Sequence, residues 1–297
     1  MRPPPPLRDA ARYPVTTAVA IAATGISAKY LRGTRIDALI LDVRAFETQP
    51  WRLLTAALPH VSVLHLLFNL LWLWWLGTIA EQRFGAIRYA GLLVLLAAGS
   101  GAADYALSSG GVGLSGVVYG LFALLAILQR SDASLHDAVD ERVTLLFVGW
   151  FFFCILTTMT GWLAVANVAH GAGAVLGALV AFGAATRGVR RAASVVVVSM
   201  GVAAALVGST VARARVNHAS DRGSDAAYLA FQAYERGDIA RATRYGRLAV
   251  RMNPSRADWW YNLGLAARRS HDDPFAIEAL RRSIRLDRSQ QSAHVAL

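Results

Sequence analysis

Long apolar runs separated by short polar connections fill the first 212 residues, and this pattern predicts membrane helices. An α-helix needs about 20 mainly apolar residues to cross the hydrocarbon core of a bilayer. Seven stretches approach that length: 14–30, 60–80, 88–107, 113–129, 143–163, 165–186 and 192–212. Short connections join the third to the sixth, which predicts antiparallel neighbours in a compact bundle.

The pattern changes at about residue 213, where charged residues alternate with apolar ones at helical spacing, which is typical of water-soluble helices. Four positions recur after 34 residues: Leu229, Ala242, Ala249 and Pro254 return as Leu263, Ala276, Ser283 and Arg288. This periodicity predicts two helical repeats over 223–290, the alternative being a plain helical hairpin stalk. The segment Trp260-Tyr-Asn-Leu-Gly264 resembles the tetratricopeptide repeat, although Gly246 and Arg288 depart from it. Two such repeats need the tail, the bundle or a second copy to cap them.

Composition supports a membrane location for most of the chain. Hydrophobic residues make up 55% and charged residues 16%, against about 25% charged in ordinary soluble domains. The net charge of +11 comes from arginine, since Lys29 is the only lysine. Membrane topology explains these arginines more simply than nucleic-acid binding, so the lipid bilayer is the expected partner and nucleic acid is not. Cys154, the single cysteine, allows no internal disulfide and is expected to be packed or lipid-facing.

Arginine placement predicts the orientation of the spans. With a cytoplasmic N-terminus, the inside segments contain Arg2, Arg8, Arg12, Arg83, Arg88, Arg130, Arg142, Arg187, Arg190 and Arg191. The outside connections 104–112 and 158–165 contain neither Arg nor Lys. The loop 30–59 departs from this trend and is predicted to be a small structured insert. Seven spans would then place the repeats outside the cytoplasm. The first run could alternatively be read as a signal peptide, but the multi-span bundle that follows favours a membrane span.

Strongly polar residues inside predicted spans are costly and therefore candidates for function. They are His60, His65, Asn69, Ser115, Tyr119, Asn167 and His170. The second, fourth and sixth spans run in the same direction. Ser115, His65 and His170 each lie two to five residues after the start of their span, so they are expected at similar depth. Spacings of three or four residues also place the polar residues of each span on one helix face.

The surroundings of Ser115 and His170 suit nucleophilic chemistry. Ser115 is flanked by Gly113 and Gly116, which allow a tight turn and close approach of a substrate backbone. Free N–H groups and the positive end of the helix dipole at a helix start suit a developing oxyanion. Gly173 and Gly177 follow His170 at the spacing that allows two membrane helices to touch. Close contact would bring the imidazole to Ser115.

Four motifs in order resemble the rhomboid intramembrane proteases over about residues 14–186. They are Trp51-Arg52, His60-(x)4-His65-(x)3-Asn69, Gly113-x-Ser115-Gly116 and Ala169-His170-x-x-Gly173-x-x-x-Gly177. Each is weak alone, but together they are specific, and no catalytic position departs from the pattern.

The resemblance implies an intramembrane serine endopeptidase that cleaves transmembrane segments of other proteins. Ser115 would be the nucleophile and His170 the general base, with His65, Asn69 and the Ser115 N–H as the oxyanion hole. Tyr119 would stack on His170, Trp51 and Arg52 would lie in the first loop, and His60 would have a structural or accessory role. Asn167 shares the His170 face. Asp104 is the one acidic residue near that depth, and no physical reason assigns it as a third catalytic member.

The expected architecture is therefore all-α. It comprises a six-span protease core at 1–186, a seventh span at 187–212 and a helical repeat region at 213–297 that binds partners or substrates. No cofactor or metal is expected, and the composition suits a bacterial inner membrane. Two other functions stay open: a rhomboid-like scaffold that captures membrane proteins without cleaving them, and a metal-dependent enzyme using His60, His65 and His170. The second lacks a carboxylate-rich or H-E-x-x-H pattern.

Overall fold

The computed structural model describes residues 2–297, which contain helices and no β-strands. Chain contacts divide them into two units, the first ending at Thr210 and the second covering Val211–Leu297. The first unit contains helices α1 (Pro14–Leu31), α2 (Arg52–Thr55), α3 (Val63–Phe84), α4 (Ala86–Leu107), α5 (Ser115–Leu128), α6 (Glu141–Met159), α7 (Asn167–Ala185) and α8 (Gly188–Ser209).

Five of these helices, α3, α4, α6, α7 and α8, are long and apolar enough to cross a membrane. They correspond to five of the predicted spans, with ends shifted by a few residues. The all-α membrane architecture is thereby confirmed, and the chain is an integral membrane protein.

The two remaining predicted spans differ from this set. Helix α5 has 14 residues, or about 21 Å, which is less than the roughly 30 Å of a hydrocarbon core. It covers most of the predicted span 113–129 and begins two residues later, because residues 108–114 form an irregular connection, and its role as a span stays a prediction. Helix α1 has 18 residues, and three threonines and Lys29 make it less apolar than the five. Its role as a span stays a prediction.

Helix α5 lies in the middle of the first unit. Nearly all of its side chains are buried, and Leu121, Leu124 and Leu125 are fully inaccessible. They share one hydrophobic core with Leu76 of α3 and Leu96 of α4. Because α5 is surrounded on all sides, its first residue is held by several neighbouring helices.

A buried carboxylate fixes the beginning of α1. Glu81 of α3 is 3% exposed and accepts hydrogen bonds from the backbone N–H groups of Val15 and Thr16 at 2.8 and 2.9 Å. The Thr16 hydroxyl donates to the same side chain at 2.7 Å. Glu81 thus caps the first turn of a neighbouring helix, where N–H groups lack intrahelical acceptors.

The connection between α1 and α3 is folded, as predicted for the loop 30–59. It contains the short helix α2 and a 3₁₀ turn at Val43–Phe46. Tyr105 of α4 is buried against this insert and stacks on Phe46 with ring centroids 5.2 Å apart.

The second unit contains α9 (Arg213–Val216), α10 (Ser224–Glu235), α11 (Ile239–Met252), α12 (Ala257–Arg269), α13 (Asp273–Leu286) and α14 (Gln291–Ala296). Helix α10 packs on α11 and α12 packs on α13, which gives two helix pairs over the predicted repeat range. A Cβ at Gly246 would lie 3.0 Å from Leu263 Cδ1, so close packing explains the glycine there. In the tail, α14 packs on α13, and Gln290 accepts a 2.6 Å hydrogen bond from the Ser283 hydroxyl. Membership of the tetratricopeptide family stays a prediction.

Candidate active site

Helices α5 and α7 make the most extensive helix–helix contact in the first unit, and glycines form it. A Cβ at Gly173 would overlap the carbonyl oxygen of Gly116, and one at Gly177 would overlap that of Gly120. The two backbones therefore touch directly at two successive turns. The spacing of Gly173 and Gly177 predicts this contact from the α7 side, and the matching pair lies on α5. Gly116-x-x-x-Gly120 carries the same spacing signal in the sequence.

This contact brings Ser115 and His170 together. Ser115 is the first residue of α5, and His170 lies in the first turn of α7. The Ser115 Oγ and the His170 Nε2 are 2.8 Å apart, a good hydrogen-bond distance. The imidazole is 4% exposed, and its Nδ1 has no hydrogen-bond partner among the described residues. If Nε2 accepts the serine proton, then Nδ1 carries the ring hydrogen.

Tyr119 holds the His170 ring from one face. The two rings are nearly parallel, with centroids 4.7 Å apart and an interplanar angle of 18°. The tyrosine hydroxyl donates a 3.0 Å hydrogen bond to the carbonyl of Phe147 in α6. The ring contact predicted by the resemblance is therefore present, and α6 fixes the tyrosine behind it.

His65 and His60 lie beside the turn that leads into α5. Their rings are 4.7 Å apart in an edge-to-face arrangement. Gly113 adopts φ +115°, and a Cβ there would lie 2.8 Å from His65 Cε1. Only glycine therefore fits this turn, both because of its backbone angle and because of the adjacent imidazole.

His60 ties three segments together. It is fully buried, and its Nε2 accepts a 3.3 Å hydrogen bond from the backbone N–H of Leu114. Its Nδ1 lies 3.0 Å from the carbonyl of Leu58 and 3.2 Å from the hydroxyl of Ser27 in α1. Both ring nitrogens thus have hydrogen-bond partners, and the bond at Nε2 positions Leu114, the residue before Ser115. Sequence reasoning gave no role to Ser27, whose signal was a small polar residue inside an apolar run.

Several groups around Ser115 can stabilise negative charge. The first N–H groups of α5 lack intrahelical acceptors, and no side chain caps this helix start. The buried Asn69 amide donates one hydrogen to the carbonyl of His65 at 2.9 Å, which leaves its second hydrogen for another acceptor. The Nδ1 of His65 has no partner among the described residues. These donors suit an oxyanion beside Ser115 Oγ.

Arg52 and Trp51 lie in the connection between α1 and α3. Arg52 is 1% exposed and donates to the carbonyls of Asp37 and Ile40 at 2.5 and 2.7 Å, and to Asp42 at 3.2 Å. Burial lowers the pKa of its guanidinium, and the Asp42 carboxylate opposes that shift. Arg52 thereby holds the first loop together, whereas Trp51 is 50% exposed.

Asn167 joins the end of α6 to the start of α7. Its amide donates to the Thr158 hydroxyl at 2.9 Å and to the carbonyl of Cys154 at 3.3 Å. Cys154 itself is buried. No group of three or more His, Cys, Asp or Glu residues that could hold a metal ion exists in residues 2–297.

Comparison with known proteins shows which family the sequence of this segment resembles. Residues 47–187, a range that includes every candidate site residue, match the family described as the Rhomboid domain. The matched segment makes up just under half of the chain. It is similar to the Rhomboid protease GlpG of Serratia proteamaculans (strain 568), with 40% identity over 141 residues, covering 45% of this chain and 48% of the relative.

Two further relatives with the same name give similar values. The protein of Enterobacter sp. (strain 638) is 35% identical over 144 residues, which cover 46% of this chain and 50% of the relative. That of Yersinia pestis (strain Pestoides F) is 35% identical over 140 residues, with 45% and 48% covered. The chain therefore spans about half the length of the curated relatives it matches.

The glycine contact predicts a specific sensitivity. Gly173→Ala should lower the free energy of unfolding by about 1–3 kcal/mol, because the added methyl group meets a backbone carbonyl that cannot rotate away. Thermal unfolding in detergent would measure this. Gly201→Ala on α8 is the matched control, since no atom lies within 4 Å of its Cβ position. Equal stability of the two variants would contradict the contact.

Proposed function

We propose that this protein is an intramembrane serine endopeptidase that cleaves transmembrane segments of other membrane proteins. The observation that carries the proposal is the 2.8 Å separation of Ser115 Oγ and His170 Nε2. The imidazole is buried and stacked on Tyr119, which fixes its orientation without a carboxylate partner. The relatives are named rhomboid proteases, which supports the same reaction class.

The reaction proceeds in two steps. Ser115 Oγ attacks the carbonyl carbon of the scissile peptide bond, and its proton passes to His170 Nε2. The C–N bond then breaks, and the leaving amine takes that proton, which leaves an ester on Ser115. In the second step, water loses a proton to His170 and attacks the ester carbonyl. Collapse of the second tetrahedral intermediate releases the new carboxyl group and returns the proton to Ser115.

Negative charge on the carbonyl oxygen develops beside the start of α5. The Ser115 backbone N–H, the Asn69 amide and the His65 imidazole supply the donors, and the dipole of α5 adds to them. A regular transmembrane helix hides its peptide carbonyls in hydrogen bonds between residues i and i+4. The substrate segment must therefore unwind locally before Ser115 reaches its carbonyl.

Covalent labelling tests the dyad. An alkyl fluorophosphonate should add to Ser115 of the purified, folded protein, because the probe reacts with an activated serine. Ser115→Ala should remove the label, and His170→Ala should slow labelling at least about 100-fold, since the general base is lost. Intact-mass spectrometry measures both. A folded protein without label would favour a scaffold that binds membrane proteins without cleaving them, and rapid labelling of His170→Ala would exclude the dyad.

The repeat region is proposed to bind partner or substrate segments. A groove between α10 and α12 is lined by Phe231, Tyr234, Trp259 and Asn262, and Phe231 is 50% exposed. An aromatic groove with an amide at its wall suits an extended peptide, whose apolar side chains and backbone groups it can contact together.

Deletion of residues 213–297 tests this role. The truncated protein should label with fluorophosphonate at a rate within about twofold of the full chain, because the dyad lies in the other unit. Cleavage of natural substrates in cells should fall at least about tenfold, as the tethered contact that raises the local substrate concentration is lost. Quantitative proteomics of membrane fragments measures the fall. Unchanged cleavage of every substrate would remove the recruiting role.

Orientation follows from arginine placement and is likewise proposed. The N-terminus faces the cytoplasm of a bacterial inner membrane and the repeats lie outside it. Ser270→Cys in a Cys154→Ala background introduces an exposed thiol in the second unit. An impermeant maleimide added to intact spheroplasts should react with it. Reaction that requires opened membranes would place the repeats in the cytoplasm and alter the number of spans.

A further inference from the structure

A buried carboxylate lies behind the dyad on α4. Asp104 is 1% exposed, and neither of its carboxyl oxygens has a hydrogen-bond partner among the described residues. The backbone N–H groups of Gly111 and Ala169 and the side chain of Ser108 lie close enough to interact electrostatically with the carboxyl group. Burying a carboxylate without compensation costs several kcal/mol. The burial of Asp104 therefore needs a physical explanation, and two groups of neighbouring atoms supply one.

The first group of neighbours is the uncapped start of α7. Ala169 is the third residue of that helix, where N–H groups have no intrahelical acceptor. The N-cap residue, Ala166, makes no side-chain hydrogen bond, and the first turn contains no acidic residue. Helix α7 therefore lacks a cap of its own, and the Asp104 carboxyl group offers acceptor oxygens near its positive end from a neighbouring helix. The residue after Ala169 is His170.

The second group of neighbours is the connection 108–114, which leads into α5. A Cβ at Gly111 would lie 3.3 Å from the Asp104 carboxylate, so the carboxylate touches the loop that leads to Ser115. Ser100, one turn earlier on the same face of α4, lies 2.5 Å from the Cβ position of Gly116. One polar face of α4 thus contacts the starts of both helices that supply the dyad.

We propose that Asp104 is a positioning residue that holds the first turn of α7 and the 108–114 connection in register, and so keeps His170 opposite Ser115. It acts through backbone N–H groups and not through the imidazole, whose Nδ1 has no partner among the described residues. It is therefore not the third member of a triad. The catalytic consequence rests on the proposed function, whereas the positioning itself does not.

Glu81 offers a matched control within the same chain. It is also a buried carboxylate that caps the start of a neighbouring helix, but that helix is α1 and carries no dyad residue. Asp104→Asn keeps the side-chain size and removes the charge, and Glu81→Gln makes the same chemical change at the control site. Both variants should unfold at lower temperature than the wild type.

Labelling kinetics separate positioning from stability. With an alkyl fluorophosphonate, at a temperature where all variants are folded, Asp104→Asn should lower the maximal inactivation rate at least about tenfold, because small misalignment of a base costs that much or more. The half-saturating probe concentration should stay within about twofold. Glu81→Gln should match the wild type in both. A wild-type inactivation rate for Asp104→Asn, with only its unfolding temperature lowered, would overturn the proposal.

Hydrogen exchange tests the positioning without any activity. In Asp104→Asn, the amides of 168–171 and 111–113 should exchange faster than in the wild type, whereas in Glu81→Gln the faster exchange should fall at 15–18. Unchanged exchange at both Asp104 segments would exclude the positioning role. If the wild type itself fails to label, the proposed protease function is lost, and the exchange data still decide the role of Asp104.

Discussion

The backbones of α5 and α7 touch at two successive turns, and the positions of Ser115 and His170 follow from that contact. Each side of the contact is glycine, with Gly173 and Gly177 against the carbonyls of Gly116 and Gly120. In a bilayer, water does not drive helices together, so close van der Waals packing of small residues supplies much of the association. A side chain at these positions would separate the helices and lengthen the 2.8 Å hydrogen bond between serine and imidazole.

Around this contact, buried polar groups fix the segments that carry the site. His60 holds the N–H of Leu114 from the α1–α3 side, and Tyr119 holds the His170 ring from the α6 side. Arg52 closes the first loop on itself through its carbonyls. Each of these residues uses its hydrogen bonds for position, because an unsatisfied polar group inside a membrane protein is expensive.

Much of this arrangement is predictable from the sequence. Hydropathy gives the five long spans, and common depth plus helical spacing groups Ser115, His65 and His170. Local pattern could not give the length of α5, because an apolar run predicts a span whether or not its first residues are helical. Gly113, at φ +115°, lies in the irregular connection just before the first helical residue, Ser115. Likewise, the Asn69 amide donates one hydrogen bond to the carbonyl of His65 in its own helix, which only the three-dimensional structure reveals.

Asp104 shows the same limit from the other direction. In the sequence it is one acidic residue near the end of a span, without a spacing relation to Ser115 or His170. Its partners are backbone N–H groups on a loop and on another helix, and backbone groups leave no residue-type signal. The structure is needed to show that the start of α7 has no side-chain cap, and only this explains a buried carboxyl group at position 104.

An experimental structure of the protein after reaction with a fluorophosphonate tests the central claim most directly. The account predicts phosphorus bonded to Ser115 Oγ, a phosphoryl oxygen facing the Ser115 N–H with His65 and Asn69, and Gly173 still against the Gly116 carbonyl. An adduct on another residue, or a phosphoryl oxygen turned away from those donors while α5 and α7 remain in contact, would contradict it.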